Sequence, residues 1–272
     1  MKSPTEDHAR KHPSFVLGLD LDGTCADFYG RMREIAAEWS GVPLESLPVE
    51  PEWSLESWGI GDSQYETFHR FAVTQRNLFE TMAPLPGASQ VIRRLANEGV
   101  RIRIITHRLV ISYFHETAVS QTVRWLDHHG IPYWDLCFMR EKGDVDADLY
   151  VEDSVTSINR LVASQADVLV ITNGPNRGLE GSFDRAGSWD VAEGQIRQRY
   201  YAWLDAHQLE RPRGPGEPPP GLVRGRAPAT GLGRSKVPAA ADWCVEHRRR
   251  GDDARGWRIP RAPHWPEPVV RG

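Results

Sequence analysis

Short apolar runs, rich in leucine and β-branched residues, recur along this chain, and several stop at a residue able to carry charge or bind phosphate. The first covers residues 15–19 and ends in Asp20-Leu21-Asp22-Gly23-Thr24. A second covers 100–105 and ends on Thr106, and a third covers 133–139 and is followed by Lys142. A fourth, 147–151, ends in Glu152-Asp153, and a fifth covers 167–172. Between these strand-like runs the apolar spacing changes to a helical period over 88–97, 112–129, 154–164 and 193–207. Strands alternating with helices predict a parallel sheet covered on both faces, an α/β fold of three layers.

A long insertion separates the first two strands. Residues 31–39 have a mixed helical pattern, and Tyr65, Phe68, Ala72 and Phe79 recur at helix-compatible intervals over 65–79. Residues 53–59, from Trp53 to Gly59, form a short aromatic link without clear period. The predicted organisation is a leader (1–13), a catalytic core (14–26 and 84–208), a small helical cap (27–83) and a tail (209–272).

Open α/β sheets place their ligand crevice beyond the carboxyl ends of the strands, where Asp20 and Asp22 are expected. If the extended geometry persists past the strand, their side chains leave on the same side and share one site. Two close carboxylates need a compensating cation or proton. A set of hard oxygen ligands suits Mg²⁺, which keeps several waters and recruits phosphate. Gly23 allows a turn there, and Thr24 can satisfy backbone donors. The hydroxyl of Thr106 and the ammonium of Lys142 suit phosphate oxygens. The plainer readings are an Asp-Gly turn, a β-forming threonine and a solvated lysine; for Lys142 alone, flanked by Arg140 and Glu141, an exposed loop is the preferred reading. His107 and Arg108 are further phosphate candidates, His107 through its ring or only its backbone amide, whereas His128 and His129 close a helix before Gly130 and read as capping.

In this order the four polar endings resemble the haloacid dehalogenase (HAD) superfamily of phosphohydrolases, over roughly residues 14–175. Within it the chain is similar to the 5'-nucleotidase type that includes cytosolic and mitochondrial deoxyribonucleotidases. Asp20 to Phe28 looks like that type's Asp-x-Asp-Gly-x-x-Ala-Asp-Phe opening, and Pro84-Leu85-Pro86-Gly87-Ala88 looks like its Pro-x-Pro-Gly-Ala segment. Tyr150-Val151-Glu152-Asp153-Ser154 departs from the more usual Asp-Asp by having Glu first. The resemblance implies a HAD-like Rossmannoid fold and a phosphoaspartate formed on Asp20, with Asp22 as general acid and then base. It implies Mg²⁺ held by the Asp20 carboxylate, the Asp22 carbonyl and Asp153, with Glu152 behind them or reaching the metal through water. Thr106, His107 with neighbouring amides, and Lys142 would hold the phosphoryl oxygens, and Phe28 would lie against a nucleobase.

The expected activity is hydrolysis of nucleoside monophosphates, with a sugar phosphate or another small phosphoester as the alternative substrate. Aromatic residues in the insertion suit base stacking, yet a cap this small also needs aromatics for its own core, and Trp53 and Trp58 are read as packing. The loop 173–177, Asn-Gly-Pro-Asn-Arg, is read as a turn near the site. Three cysteines, Cys25, Cys137 and Cys244, have no metal or disulfide spacing. Cys25 is read as a small buried hydrophobe beside the site. With 40% hydrophobic residues in 272, the chain can bury a sizeable core. The sequence shows neither an apolar span nor a signal-peptide core, so the expected location is cytoplasmic, with a homodimer left open as its assembly.

Composition changes after about residue 210. Residues 211–272 hold 11 Pro, 9 Gly and 12 Arg, and 13 Lys+Arg face 6 Asp+Glu. The segment's +7 within a chain total of −4 leaves −11 on the preceding residues. This composition predicts disorder. The tail is read as a solvated extension, or as the product of a shifted reading frame, in preference to a nucleic-acid anchor. A nucleic-acid-binding protein that keeps the catalytic fold as a scaffold is the alternative from another functional class; the complete set of four motifs argues against it.

Overall fold

Among the described residues, six short parallel strands form one sheet in the order β3-β2-β1-β4-β5-β6. They are β1 (Val16–Leu19), β2 (Arg101–Thr106), β3 (Asp135–Phe138), β4 (Leu149–Glu152), β5 (Val168–Ile171) and β6 (Asp184–Ala186). The computed structural model describes residues 13–51, 55–109 and 114–212, so the leader before Pro13, Trp53 and the basic tail lie outside the described residues. Among the described residues, seven α-helices accompany the sheet: α1 (Phe28–Ser40), α2 (Asp62–Arg76), α3 (Leu78–Thr81), α4 (Ala88–Asn97), α5 (His115–His128), α6 (Val155–Ala163) and α7 (Trp189–Ala206).

The strands alternate their side chains between two apolar clusters. Leu17, Leu19, Ile102, Ile104, Leu149, Val151, Leu169 and Ile171 join the larger one, with Val91, Ile92 and Leu95 of α4 and Trp189, Ala192 and Ile196 of α7. Ile105, Tyr150, Val168 and Val170 join the smaller one, with Ile158 and Leu161 of α6. Period-two alternation sends these sets to opposite faces, so the sheet is covered on both sides, as the sequence predicts.

The strand order reverses direction at β1, which pairs with β2 on one side and β4 on the other. Such a reversal opens a crevice at the carboxyl ends of the two central strands. Asp20 and Asp153 follow directly from those ends.

The observed helices adjust several boundaries. Asp27 caps α1 by accepting from the Gly30 amide at 3.0 Å, which starts the helix at Phe28, ahead of residue 31. The single helix expected over 65–79 is two, because Asn77 adopts φ 49° and ψ 44° and ends α2 before α3 begins. Ser188 accepts from the Val191 amide and starts α7 one turn before residue 193. Strand β6 was not expected: three residues with an exposed aspartate carry little apolar signal. Trp58 is buried and donates from Nε1 to the Pro48 carbonyl at 2.9 Å, in keeping with a packing role.

Helices α4 and α7 are joined through Glu193, which accepts from Arg94 Nε at 2.9 Å and from Arg197 Nη2 at 2.8 Å. The hydrogen bond from Arg94, with further help from Arg197, holds the Glu193 carboxyl down at about 2. A depressed carboxylate contributes its stability above the ordinary value and loses it as pH falls toward the folded one. Glu193→Gln is therefore expected to cost about 1 kcal/mol at pH 7, roughly 2–4 °C in Tm. In melts followed by circular dichroism the difference from wild type should shrink steadily between pH 4.5 and pH 3.

Candidate active site

The chain leaves β1 through a tight loop. The amides of Thr24, Cys25 and Ala26 all point at the Leu21 carbonyl, and the Gly23 amide donates to the Ala26 carbonyl at 2.9 Å. The loop packs directly on Asp153: a β-carbon at Gly23 would lie 2.1 Å from Asp153 Oδ2, and the glycine itself has φ +83°. Both facts exclude a side chain at this position. Thr24 Oγ1 donates to Asp153 Oδ1 at 3.0 Å, and Asn173 Nδ2 donates to Asp153 Oδ2 at 2.6 Å. Asn176, fully buried, donates to the carbonyls of Asp153 and Ile171. The loop after β5, read from sequence as a turn, thus clamps an acid of the site.

Lys142 is the largest departure from its local reading. It is buried, and its ammonium sits 2.5 Å from Asp20 Oδ1 and 2.6 Å from Glu152 Oε2. Its neighbour Glu141 does face outward, paired with exposed Arg160. Burial alone would lower the lysine's pKa, but the two carboxylates more than offset that and raise it. Glu152 uses its other oxygen, Oε1, to accept from the amides of Asp153 and Ser154 at the start of α6. The longer glutamate arm therefore spans from a helix start to the lysine.

Asp20, Glu152 and Asp153 each offer one oxygen within 4.8 Å of the others. Three buried carboxylates share one lysine, so negative charge is in excess. Burial, with Glu152 and Asp22 adding to it against Lys142, pushes Asp20 up to about 7. Burial and then the neighbouring Asp20 and Glu152 raise Asp153 as well. A hard-oxygen cluster with unbalanced negative charge fits a divalent cation.

Asp22 does not join this cluster. Strand β1 ends at Leu19, so the alternation that would have aligned Asp20 and Asp22 stops short, and the Asp22 carboxylate turns to Arg108 at 2.6 Å. Arg108, a phosphate candidate by sequence, is engaged there instead. Thr106 is fully buried at the end of β2 with its Oγ1 unpartnered, and His107 likewise leaves Nε2 unpartnered. Burial lowers the imidazole of His107 and favours its neutral form. Cys25 is buried and donates to the Asp20 carbonyl; burial pushes its thiol up, as befits a structural residue.

Phe28 opens α1 and packs edge-on against Tyr29 with ring centres 5.4 Å apart. These two rings, with Leu55, Ile60, Asp62 and Tyr65, line a cavity of about 390 Å³ that also touches Ser154, the residue after Asp153. His69, which no sequence pattern distinguished from a core residue, lies buried beside Tyr65 and Phe79 with Nδ1 unpartnered.

The sequence model of the family described as "5' nucleotidase, deoxy (Pyrimidine), cytosolic type C protein" matches residues 14–207. This chain belongs to that family. A relative from Chlorobaculum tepidum, named "Putative 5'(3')-deoxyribonucleotidase", is 56% identical over 185 residues, covering 68% of this chain and 91% of its own. Among solved structures, a haloacid dehalogenase-like hydrolase from Streptococcus pneumoniae is similar at a TM-score of 0.45 and 12% identity, over 67% of this chain and 98% of that one. Protein Tyrosine Kinase A from Mycobacterium tuberculosis is similar at a TM-score of 0.48 and 17% identity, over 67% of this chain and 98% of that one. The family makes this chain a hydrolase of phosphoric monoesters. Among the described residues of this nucleotidase, no helix is long and apolar enough to cross a membrane.

Removing the lysine from this cluster leaves buried carboxylates uncompensated. Lys142→Met is expected to lower stability by about 3 kcal/mol at pH 7, measured by urea denaturation. The deficit should widen from pH 7 to pH 9: loss of Lys142 raises Asp20 above its value of about 7, and the proton that replaces the lost positive charge is given up as pH rises through that range.

Proposed function

We propose that this protein hydrolyses nucleoside monophosphates with Mg²⁺, through a phosphoaspartate on Asp20. The observation that carries the reading is the juxtaposition, at the carboxyl ends of β1, β2 and β4, of a buried three-acid cluster, a lysine and an unpartnered threonine hydroxyl.

In this reading an oxygen of Asp20 attacks phosphorus while Asp22 protonates the leaving alcohol oxygen; Asp22 then deprotonates the water that cleaves the acyl phosphate. Thr106 Oγ1, His107 and Lys142 receive the phosphoryl oxygens, where fixed donors are worth most as charge builds in the transition state. The residues that would hold a metal are Asp20 and Asp153 through their carboxylates and Asp22 through its carbonyl; a divalent cation bound there would neutralise phosphate charge. Glu152 is assigned to orienting Lys142, which donates to its Oε2 while Oε1 accepts from two amides.

Residues 27–83 are read as a cap over the site. The cavity walled by Phe28, Tyr29 and Tyr65 supports a flat, stacking substrate group such as a nucleobase. The relative's printed name supports a deoxyribonucleotide among the substrates, and the reaction is read as a cytoplasmic one.

Phosphate release from ribo- and deoxyribonucleoside monophosphates and from sugar phosphates tests this reading. Expected are a preference for nucleotides, loss of turnover in EDTA with recovery on adding Mg²⁺, and a loss of about a thousandfold or more in Asp20→Asn. Preference for sugar phosphates would keep the chemistry and overturn the substrate. Full activity of Asp20→Asn would overturn the mechanism.

A further inference from the structure

Arg108 is a buried guanidinium that touches neither the three-acid cluster nor solvent. Its side chain is wholly inaccessible, while that of Asp22 is 23% exposed. Nε donates to Asp22 Oδ2 at 3.0 Å and Nη2 donates to Oδ1 at 2.6 Å, a bidentate fork. On its other side Nη1 donates to Thr122 Oγ1 at 3.0 Å, and that hydroxyl passes the chain on to the Ala118 carbonyl of α5 at 2.6 Å. The guanidinium carbon lies 4.4 Å from the centre of the Phe79 ring of α3.

Three separate elements therefore fix one cation: the end of β2 from behind, α5 through Thr122, and α3 through Phe79. A buried guanidinium must be paired, and its planar fork sets the orientation of the carboxylate it holds. A lysine would supply charge without that direction. His69 of α2 shares the neighbourhood of Asp22 and Arg108, and burial lowers it to about 4, so it adds no second positive charge there at neutral pH.

We infer that Arg108 is a positioning residue for the leaving-group step, holding the Asp22 carboxyl in the single orientation from which it exchanges a proton with the ester oxygen. The inference rests on Asp22 being the general acid. In that step an Asp20 oxygen bonds to phosphorus as the ester phosphorus–oxygen bond breaks. The bond pair leaves on the alcohol oxygen, which takes the proton that one Asp22 oxygen has gained on substrate binding while the other keeps its bond to Arg108. Asp22, now a carboxylate, remains paired with Arg108, then accepts a proton from the water that attacks the acyl phosphate, releasing inorganic phosphate and restoring Asp20. The coupling also makes Thr122 and Phe79, which stand behind Arg108, part of the support for the reacting geometry.

The test is the dependence of kcat/KM on the leaving group, which is independent of which phosphoester is the natural substrate. Phenyl phosphate needs its leaving oxygen protonated far more than 4-nitrophenyl phosphate does. Wild type, Asp22→Asn, Arg108→Lys and Thr122→Val are compared on both. Expected is a fall of about tenfold or more for phenyl phosphate in Arg108→Lys, within the usual reach of acid catalysis, and little change for 4-nitrophenyl phosphate. Thr122→Val, which keeps the charge and side-chain volume, should move in the same direction by less, and it decides the matter if Arg108→Lys does not fold. Equal losses on both esters, or none, in Arg108→Lys and Thr122→Val overturn the inference. Equal losses on both esters in Asp22→Asn instead overturn the acid assignment beneath it.

Discussion

The structure is organised around one electrostatic imbalance: three carboxylates, Asp20, Glu152 and Asp153, are buried together and, among the described residues, Lys142 is the one cation paired with them. Burying unpaired charge is costly, so everything near this point is arranged to limit that cost. Glu152 is spread between the lysine and two amides of α6. Asp153 takes hydrogen bonds from Thr24 and Asn173. The loop after β1 comes close enough to do this only because Gly23 has no side chain. What remains uncompensated is the site's capacity for a cation and for a proton, and both belong to phosphoryl transfer.

The same point is where the rest of the molecule is tied in. Trp189, at the start of α7, donates to the Thr24 carbonyl, so the helix that closes the described fold also braces the loop after β1. Trp125 of α5 donates to the Met82 carbonyl, and Gln121 of α5 accepts from the Phe79 amide and donates to the Val73 carbonyl. These buried bonds join α5 to the helices inserted between β1 and β2. The insertion is thereby held in register with Arg108 and Asp22, which α5 also supports through Thr122.

Much of this was legible in the sequence, because β1 to β5 are short, largely apolar runs and several candidate site residues stand just at or after their ends. Asp20, Thr106 and Asp153 follow from that rule. Lys142 did not, since its neighbours Arg140 and Glu141 are exposed and local composition averages over residues that point in opposite directions. Asn173 and Asn176 looked like turn formers because a side chain that closes a loop and one that clamps an acid have the same composition. Asn77 split a helix that periodicity alone ran straight through, and Arg108 lay next to Thr106 with no pattern to say whether it faced phosphate or Asp22. The family resemblance identified the four motifs and set Glu152 behind Asp153; the geometry adds that Glu152 bonds to Lys142.

The central claim, that the buried cluster is a cation site poised by its own repulsion, is tested most directly by calorimetric titration of the full chain with Mg²⁺ at pH 7 in two buffers of different ionisation enthalpy. With Asp20 at about 7 and Asp153 raised, the metal-free site holds protons that a cation displaces. The account predicts saturable binding at one site with proton release, lost in Asp153→Asn. Absence of saturable binding, or binding that survives Asp153→Asn without change, would contradict it.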